Sequence, residues 1–359
     1  MNRLCEPLTF DHGPAMANRF ILAPMTNTQS HDDGTLSDDE FHWLVKRAEG
    51  GFGLVMTCAA HVQRLGQGFP GQLGIWSDDH LPGLTRLAGA LKANGALSAV
   101  QLHHAGLRSP ADLIGEAPQG PFAESDNGSR ALTSAEVLAL REDFIAAALR
   151  AEKAGFDGVE IHGAHGYILC QFLDPANNLR SDGYGGNYEN RTRLIREIIA
   201  GVRAATRKDF QVGLRLSPER FNINFGESKQ LAEEFMTGGL IDYLDMSLWD
   251  CLKSPSDPLH DDGRPLIAHF TELDRGSARL GVAGKIMDAA RAQACLDLGA
   301  DFVLIGRAAV LHHDFPKRAL ADPDFAALPT PVTREYLEGE GLGPAFIKYM
   351  CGWKGFVAD

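Results

Sequence analysis

None of the six cysteines, at positions 5, 58, 170, 251, 295 and 351, forms a Cys-x-x-Cys pair, and none stands with histidine at the spacing of a zinc or iron–sulfur site. Reduced, structural thiols are expected, several of them acting as small buried hydrophobes. Positive charge is also scarce. Against 47 Asp and Glu there are 34 Lys and Arg, a formal net charge of −13, and no basic run could track a phosphate backbone. Nucleic acid is not an expected partner. No stretch approaches the roughly 20 apolar residues of a membrane span, and MNRLCEPLTFDHGP has no basic region followed by an apolar core. Neither membrane nor secretion is expected, and cytoplasmic residence is. Finally, no strand-like run leads into G-x-G-x-x-G, and GEGLGP near residue 340 has neither the spacing nor the preceding strand, which disfavours an open Rossmann sheet.

What the chain does have is a repeating unit. An amphipathic helical stretch, a glycine and a short apolar run recur at Gly51 (GFGLVMT), Gly95 (GALSAVQL), Gly155 (GFDGVEIH), Gly239 (GLIDYLDMS) and Gly299 (GADFVLIG). Each glycine suits a helix C-cap, and each run suits a parallel strand buried on both faces. Phe20–Pro24, Phe210–Leu216 and a weaker run at Ala278–Gly284 bring the strands to eight, the closing number of a (β/α)8 TIM barrel. The sequence therefore predicts an α/β fold: a single-domain barrel over 1–327 and a C-terminal tail, 328–359, packing on the barrel or on a partner subunit, with a homo-oligomer possible. The best-marked helix should run from near Ser134 to near Gly155, since Thr133 and Glu136 form a capping box.

Chemistry concentrates in Glu160–Arg191, EIHGAHGYILCQFLDPANNLRSDGYGGNYENR. The run Phe156–Ile161 reads as a strand, so His162 falls at its carboxyl end and His165 and Tyr167 open the following loop, where parallel α/β folds carry function. The histidine pair can grip a substrate oxygen and Tyr167 can supply a proton, although core histidines and a packing tyrosine would look the same. A metal reading, which could also draw on His103 and His104, lacks the acidic ligands and the early His-x-His of barrel hydrolases. Elsewhere on the predicted rim, Arg215 sits inside the apolar run VGLRL and requires an anionic or strongly polar partner, whether a buried salt bridge or a ligand. Gln101 ends LSAV and offers both donor and acceptor to an imide-like edge, or is a satisfied core glutamine. Gly306 and Arg307 place a bare amide beside a guanidinium after FVLI, as a phosphate site would, or as a glycine turn with a surface arginine; Gly284 could add a second amide. Arg180 and Asp182 should pair within an ordered loop of architectural role.

Taken together, NRFILAPMT, RAEGGFGLVMT, GIWSDDH, QLHHAG, the Glu160–Arg191 segment, VGLRLS and FVLIGRAAV resemble the old yellow enzyme family of flavin-dependent ene-reductases over nearly the whole chain. GIWSDDH and the QLxHAG stretch are similar to its thermophilic-like branch, which carries cysteine where Thr26 stands and usually an aromatic where Thr28 stands. Leu107 replaces an arginine common after QLxHAG, with Arg108 beside it. The resemblance implies non-covalent FMN at the barrel rim. Ala23, Pro24, Met25 and Thr26 would line the ring with Ala59 close by, Gln101 and Arg215 would hold the pyrimidine edge, and Gly284, Gly306 and Arg307 the phosphate. It further implies NADPH or NADH as transient reductant and an activated alkene as substrate, held by His162 and His165 and protonated by Tyr167, with no metal. Alternatives are an amine dehydrogenase or dienoyl-CoA reductase, whose cysteine cluster and extra domains are missing, a metal-dependent barrel hydrolase, or a non-catalytic flavin protein.

Overall fold

In the computed structural model, which describes residues 3–124, 126 and 128–358, the apolar runs become eight parallel strands. They are β1 (Phe20–Leu22), β2 (Leu54–His61), β3 (Leu97–His103), β4 (Gly158–Gly163), β5 (Gln211–Leu216), β6 (Tyr243–Ser247), β7 (Arg279–Ala283) and β8 (Phe302–Ile305). Each pairs with its sequence neighbours, and β1 pairs with β8, closing the barrel. Closure removes every sheet edge, and helices cover the outside.

Side chains alternate across each strand, so two cores result. Ile21, Leu54, Met56, Ala99, Tyr243, Phe302 and Leu304 cluster inside the barrel, while Leu22, Val55, Val100, Val159, Ile161, Leu214, Leu244 and Val303 join the larger core beneath the helices. Two glycines make the inner packing possible. A Cβ on Gly213 would stand 2.1 Å from Tyr243 Cζ, and one on Gly281 would stand 1.9 Å from Phe302 Cε2. Large rings from β6 and β8 thus fill the space that β5 and β7 leave free.

The helix predicted from the capping box spans Ser134–Ala154; Thr133 and Glu136 bond reciprocally and Gly155 caps its end at φ 94°. The central strand begins two residues later than the sequence suggested, at Gly158, and runs to Gly163, with His162 at its carboxyl end as expected. Asp157, whose carboxylate accepts from Ser98 N and Oγ, occupies the turn before the ladder begins. Arg180 and Asp182 pair as expected, Nε to Oδ1 at 3.0 Å. A small pairing of Gln119–Gly120 with Arg130–Ala131 had no sequence signal.

Residues 328–358 lie against this chain's own barrel. Phe346 meets Trp43 edge-on at 5.3 Å, Arg47 Nη1 donates to Glu340 O at 2.7 Å, and Val332 bridges to Val357. Among the described residues no helix is long and apolar enough to cross a membrane.

Candidate active site

A cavity of about 920 Å³ opens at the carboxyl ends of the strands, within the usual size for a cofactor pocket, about 300–1,000 Å³. Its wall includes Ala23, Pro24, Met25 and Thr26 after β1, His165 and Tyr167 after β4, Arg215 on β5, Gly284 after β7, and Gly306 and Arg307 after β8. Because β4 and β8 are opposite in the closed order, the phenol and imidazole face the glycine–arginine group across the rim. Three predicted site residues are absent from this wall. Ala59, Gln101 and His162 stand behind it: Gln101 lies opposite Ala59 and Glu160 in the ladders, and His162 is buried.

His162 nevertheless organises the wall. Its ring lies 5.1 Å from that of His165 and 5.3 Å from that of Tyr167, both near-perpendicular. His103, on β3, completes the group 4.4 Å from Tyr167 and 5.3 Å from His162. Burial, reinforced by neighbouring histidines and arginines, holds all three imidazoles well below their usual pKa. They are neutral at pH 7, and each can donate one hydrogen bond without bringing a charge. His103 Nε2 is fully buried and has no partner among the described residues. The sequence had marked His103 only for the metal reading; its alternation with Gln101 along β3 was the available signal.

Below the wall lies a buried polar layer, Gln101, Glu160, Arg215 and Asp245, one on each of four adjacent strands; Gln101 stands opposite Glu160 and Arg215 opposite Asp245, with Arg215 two residues beyond the partner of Glu160. Gln101 Nε2 donates to Glu160 Oε1 at 2.7 Å. Arg215 Nε approaches Asp245 Oδ2 to 2.8 Å, but the angle is poor, so neither atom gains a hydrogen bond; Glu160 Oε2 and Asp245 Oδ1 are likewise orphaned. Burial and the nearby Asp245 carboxylate push Glu160 up, and burial pushes Asp245 up against the pull of Arg215. The need for an anionic partner at Arg215 is therefore met by Asp245, while the guanidinium still reaches the cavity wall. Glu160 and Asp245 went unnoticed in the sequence, although a charge inside an apolar run was the same signal that had identified Arg215.

On the far side, a Cβ on Gly306 would project to 3.5 Å from Met25 Sδ and 3.9 Å from Ala23 Cβ, both wall residues; the glycine keeps bare backbone there. The helix that follows, Arg307–Leu311, is only five residues long, so amide and guanidinium matter more than a helix dipole. A flavin mononucleotide fits this donor set. A cavity of the right size joins a bare glycine and a guanidinium that makes no ion pair among the described residues to a buried arginine with unsatisfied hydrogen-bonding capacity.

Comparison with known proteins decides the family: residues 3–322 match the NADH:flavin oxidoreductase / NADH oxidase family. The chain belongs to it. It is 38% identical over 318 residues to the probable NADH-dependent flavin oxidoreductase YqiG of Bacillus subtilis, covering 85% of this chain and 84% of that protein. It is also 32% identical to the NADH:acrylate oxidoreductase of Vibrio harveyi over 94% of this chain, but spans only 35% of that longer protein. Among solved structures, the old yellow enzyme homologue from Zymomonas mobilis superposes with a TM-score of 0.79 at 27% identity, covering 96% of this chain and 99% of the other. The protein is thus an FMN-containing, NAD(P)H-dependent oxidoreductase of old yellow enzyme type, built on the TIM barrel anticipated from sequence.

Proposed function

We propose that this member of the old yellow enzyme family is an NAD(P)H:alkene oxidoreductase reducing activated C=C bonds of α,β-unsaturated carbonyl, imide or nitro compounds. The carrying observation is the single cavity whose wall joins Tyr167 and His165 to Arg215, Gly284, Gly306 and Arg307.

FMN, when bound, would supply hydride-transfer chemistry between the nicotinamide and the alkene β-carbon. The chain's own residues do the rest. Gly284, Gly306 and Arg307 hold the phosphate through bare backbone and a fork of N–H donors. Arg215 on the wall, and Gln101 behind it, would present positive charge and donors to the pyrimidine edge, where reduction builds negative charge. Ala23, Pro24, Met25 and Thr26 line the ring, with Ala59 behind. His162 and His165, both neutral, donate to the carbonyl or nitro oxygen and stabilise the charge that grows there as the β-carbon is attacked. Tyr167 Oη delivers the proton that completes the α-carbon. Hydride plus proton accounts for the two hydrogens added across the double bond.

The test is steady-state turnover of the purified yellow protein with NADPH or NADH and 2-cyclohexenone, reading cyclohexanone by chromatography. Nicotinamide oxidation with no saturated ketone formed would reject alkene reduction.

A further inference from the structure

The cavity is strongly positive in an otherwise acidic protein: Arg108, Arg215, Arg220, Lys253, Lys285 and Arg307 line it against one acid, Asp250. Three of these six cations are engaged in ion pairs. Arg215 pairs with Asp245, Lys253 with Glu219, and Lys285 with Asp250 at 3.1 Å. Arg307 belongs to the phosphate group proposed above. Arg108 and Arg220 remain, exposed, and among the described residues neither makes an ion pair with a carboxylate.

Both are nonetheless held in place around the reacting groups. Arg108 Nη1 donates to His165 O at 2.7 Å, and its guanidinium lies 4.6 Å from the Tyr167 ring centroid. Arg220 stacks at 4.3 Å on Trp249, whose ring is 6.2 Å from that of His165. Positioning Arg220 also requires an unfavourable backbone. Arg220, Phe221 and Asn222 are three successive residues at φ 70°, 52° and 58°, and Trp249 has φ 61°, a region that non-glycine residues disfavour. The turn is fastened by Asn222 Nδ2 to Asp174 Oδ2 at 3.0 Å and by the Phe221 ring, which a Cβ on Gly166 would approach to 2.8 Å. Such strain persists where the surroundings over-determine it, and it concentrates at functional sites.

We propose that Arg108 and Arg220 form an anion-binding clamp flanking His165 and Tyr167, and that the preferred substrate is an activated alkene bearing a carboxylate besides its activating carbonyl. This rests on the alkene-reductase reading above. Each guanidinium lies over an aromatic face and offers further N–H donors suited to a carboxylate, and a cleft lined mainly by one sign of charge focuses their field on an incoming anion. The competing occupant, a phosphate of the nicotinamide dinucleotide, is less favoured because Arg108 is anchored to His165 and Tyr167, and Arg220 to Trp249 beside His165, rather than to the Gly306 side of the rim.

The experiment compares 4-oxopent-2-enoate with its methyl ester in the wild-type holoenzyme, in Arg108→Gln, in Arg220→Gln and in the double variant, each with its FMN content checked. The acid-to-ester ratio of kcat/KM should fall at least tenfold in the double variant, less when lysine replaces each arginine, and should shrink in the wild type between 0.05 and 0.5 M salt. A parallel binding readout is the affinity of 4-hydroxybenzoate relative to 4-hydroxybenzamide, followed through the flavin spectrum; this preference too should fall in the double variant. Unchanged ratios in both assays overturn the clamp, as does a loss confined to the rate of flavin reduction by NADPH, which would place a dinucleotide phosphate there. If neither ester nor acid is turned over, the alkene-reductase reading fails, and the benzoate-to-benzamide ratio still decides the arginine pair.

Discussion

His165 Nε2 lies 2.7 Å from Ser247 Oγ, so a ring nitrogen assigned to hold a substrate oxygen is already engaged by strand β6. A ligand oxygen must either displace the hydroxyl or share the ring with it. Ser247→Ala removes the competitor at the loss of about one ordinary hydrogen bond, 0.5–1.5 kcal/mol. The expected result is tighter phenol binding over the flavin, by up to about fivefold, since roughly 1 kcal/mol corresponds to that factor. Weaker binding would mean that Ser247 orients the imidazole productively.

Tyr167→Phe keeps the ring that packs on His103 and beneath Arg108 while removing only Oη. General-acid groups contribute roughly 10²–10⁴-fold, so reoxidation of the reduced enzyme by an enone should slow by about 10²-fold or more. Flavin reduction by NADPH, which needs no proton from this phenol, should change little in rate. Equal slowing of both half-reactions in stopped-flow traces would contradict the proton-donor role.

Glu160 supplies a test of the buried polar layer. Its carboxyl is fully buried and held above the usual range by desolvation and Asp245, so it carries a proton at pH 7. Glu160→Gln is then nearly isosteric with the native group and can still accept from Gln101 Nε2. Chemical denaturation at pH 7 should show a change within about 1 kcal/mol. A loss of about 3 kcal/mol or more, the cost of breaking a buried ion pair, would show that Glu160 is ionised and balances Arg215.

Burial pulls the folded-state pKa of His61 down to about 4 and that of His104 to about 3, against about 6.5 in an unfolded chain. Below pH 6.5 the unfolded chain therefore takes up protons that the folded chain refuses. Each group's contribution is fully present above pH 6.5 and declines as pH falls, at up to about 1.4 kcal/mol per pH unit. His103, His162 and His165 act in the same direction. Glu40, Glu160 and Asp245, all raised by burial, oppose it, because they are protonated in the fold at pH values where the unfolded carboxylates are still charged. The histidines outnumber them, so the melting temperature of the holoenzyme should drop from pH 6.5 to pH 5. A flat or rising melting temperature over that interval would mean that these imidazoles are already charged in the fold.

The barrel was legible because each unit repeats one local logic, a glycine after a helix and then a run with no polar face, and only parallel strands buried on both sides use such runs. His162 at the strand's carboxyl end was read correctly, but the start of that strand was off because Phe156 and Asp157 share its composition and precede its ladder. Arg215 was legible as a charge in an apolar run; Glu160 and Asp245 carried the same mark and complete the layer it belongs to. Arg108, Arg220 and Trp249 carried no comparable mark. Their placement depends on loop backbone, including four consecutive or isolated left-handed residues that no glycine announces. The tail's aromatics were visible in sequence, but that Phe346, Tyr349 and Trp353 reach the cavity wall follows only from how the last helix docks beside Trp43.

The central claim is that one cavity, joining Tyr167 and His165 to the Gly306–Arg307 side of the rim, serves both nicotinamide and alkene. An anaerobic sequential-mixing experiment tests it most directly: NADPH or NADH added to the yellow holoenzyme, then 2-cyclohexenone, with absorbance followed near 450 nm. The account predicts bleaching in the first step and full recovery of colour in the second, slowed as the nicotinamide concentration is raised because the two compete for the same space. A bleached enzyme that the enone leaves colourless, or a recovery indifferent to excess nicotinamide, would contradict it.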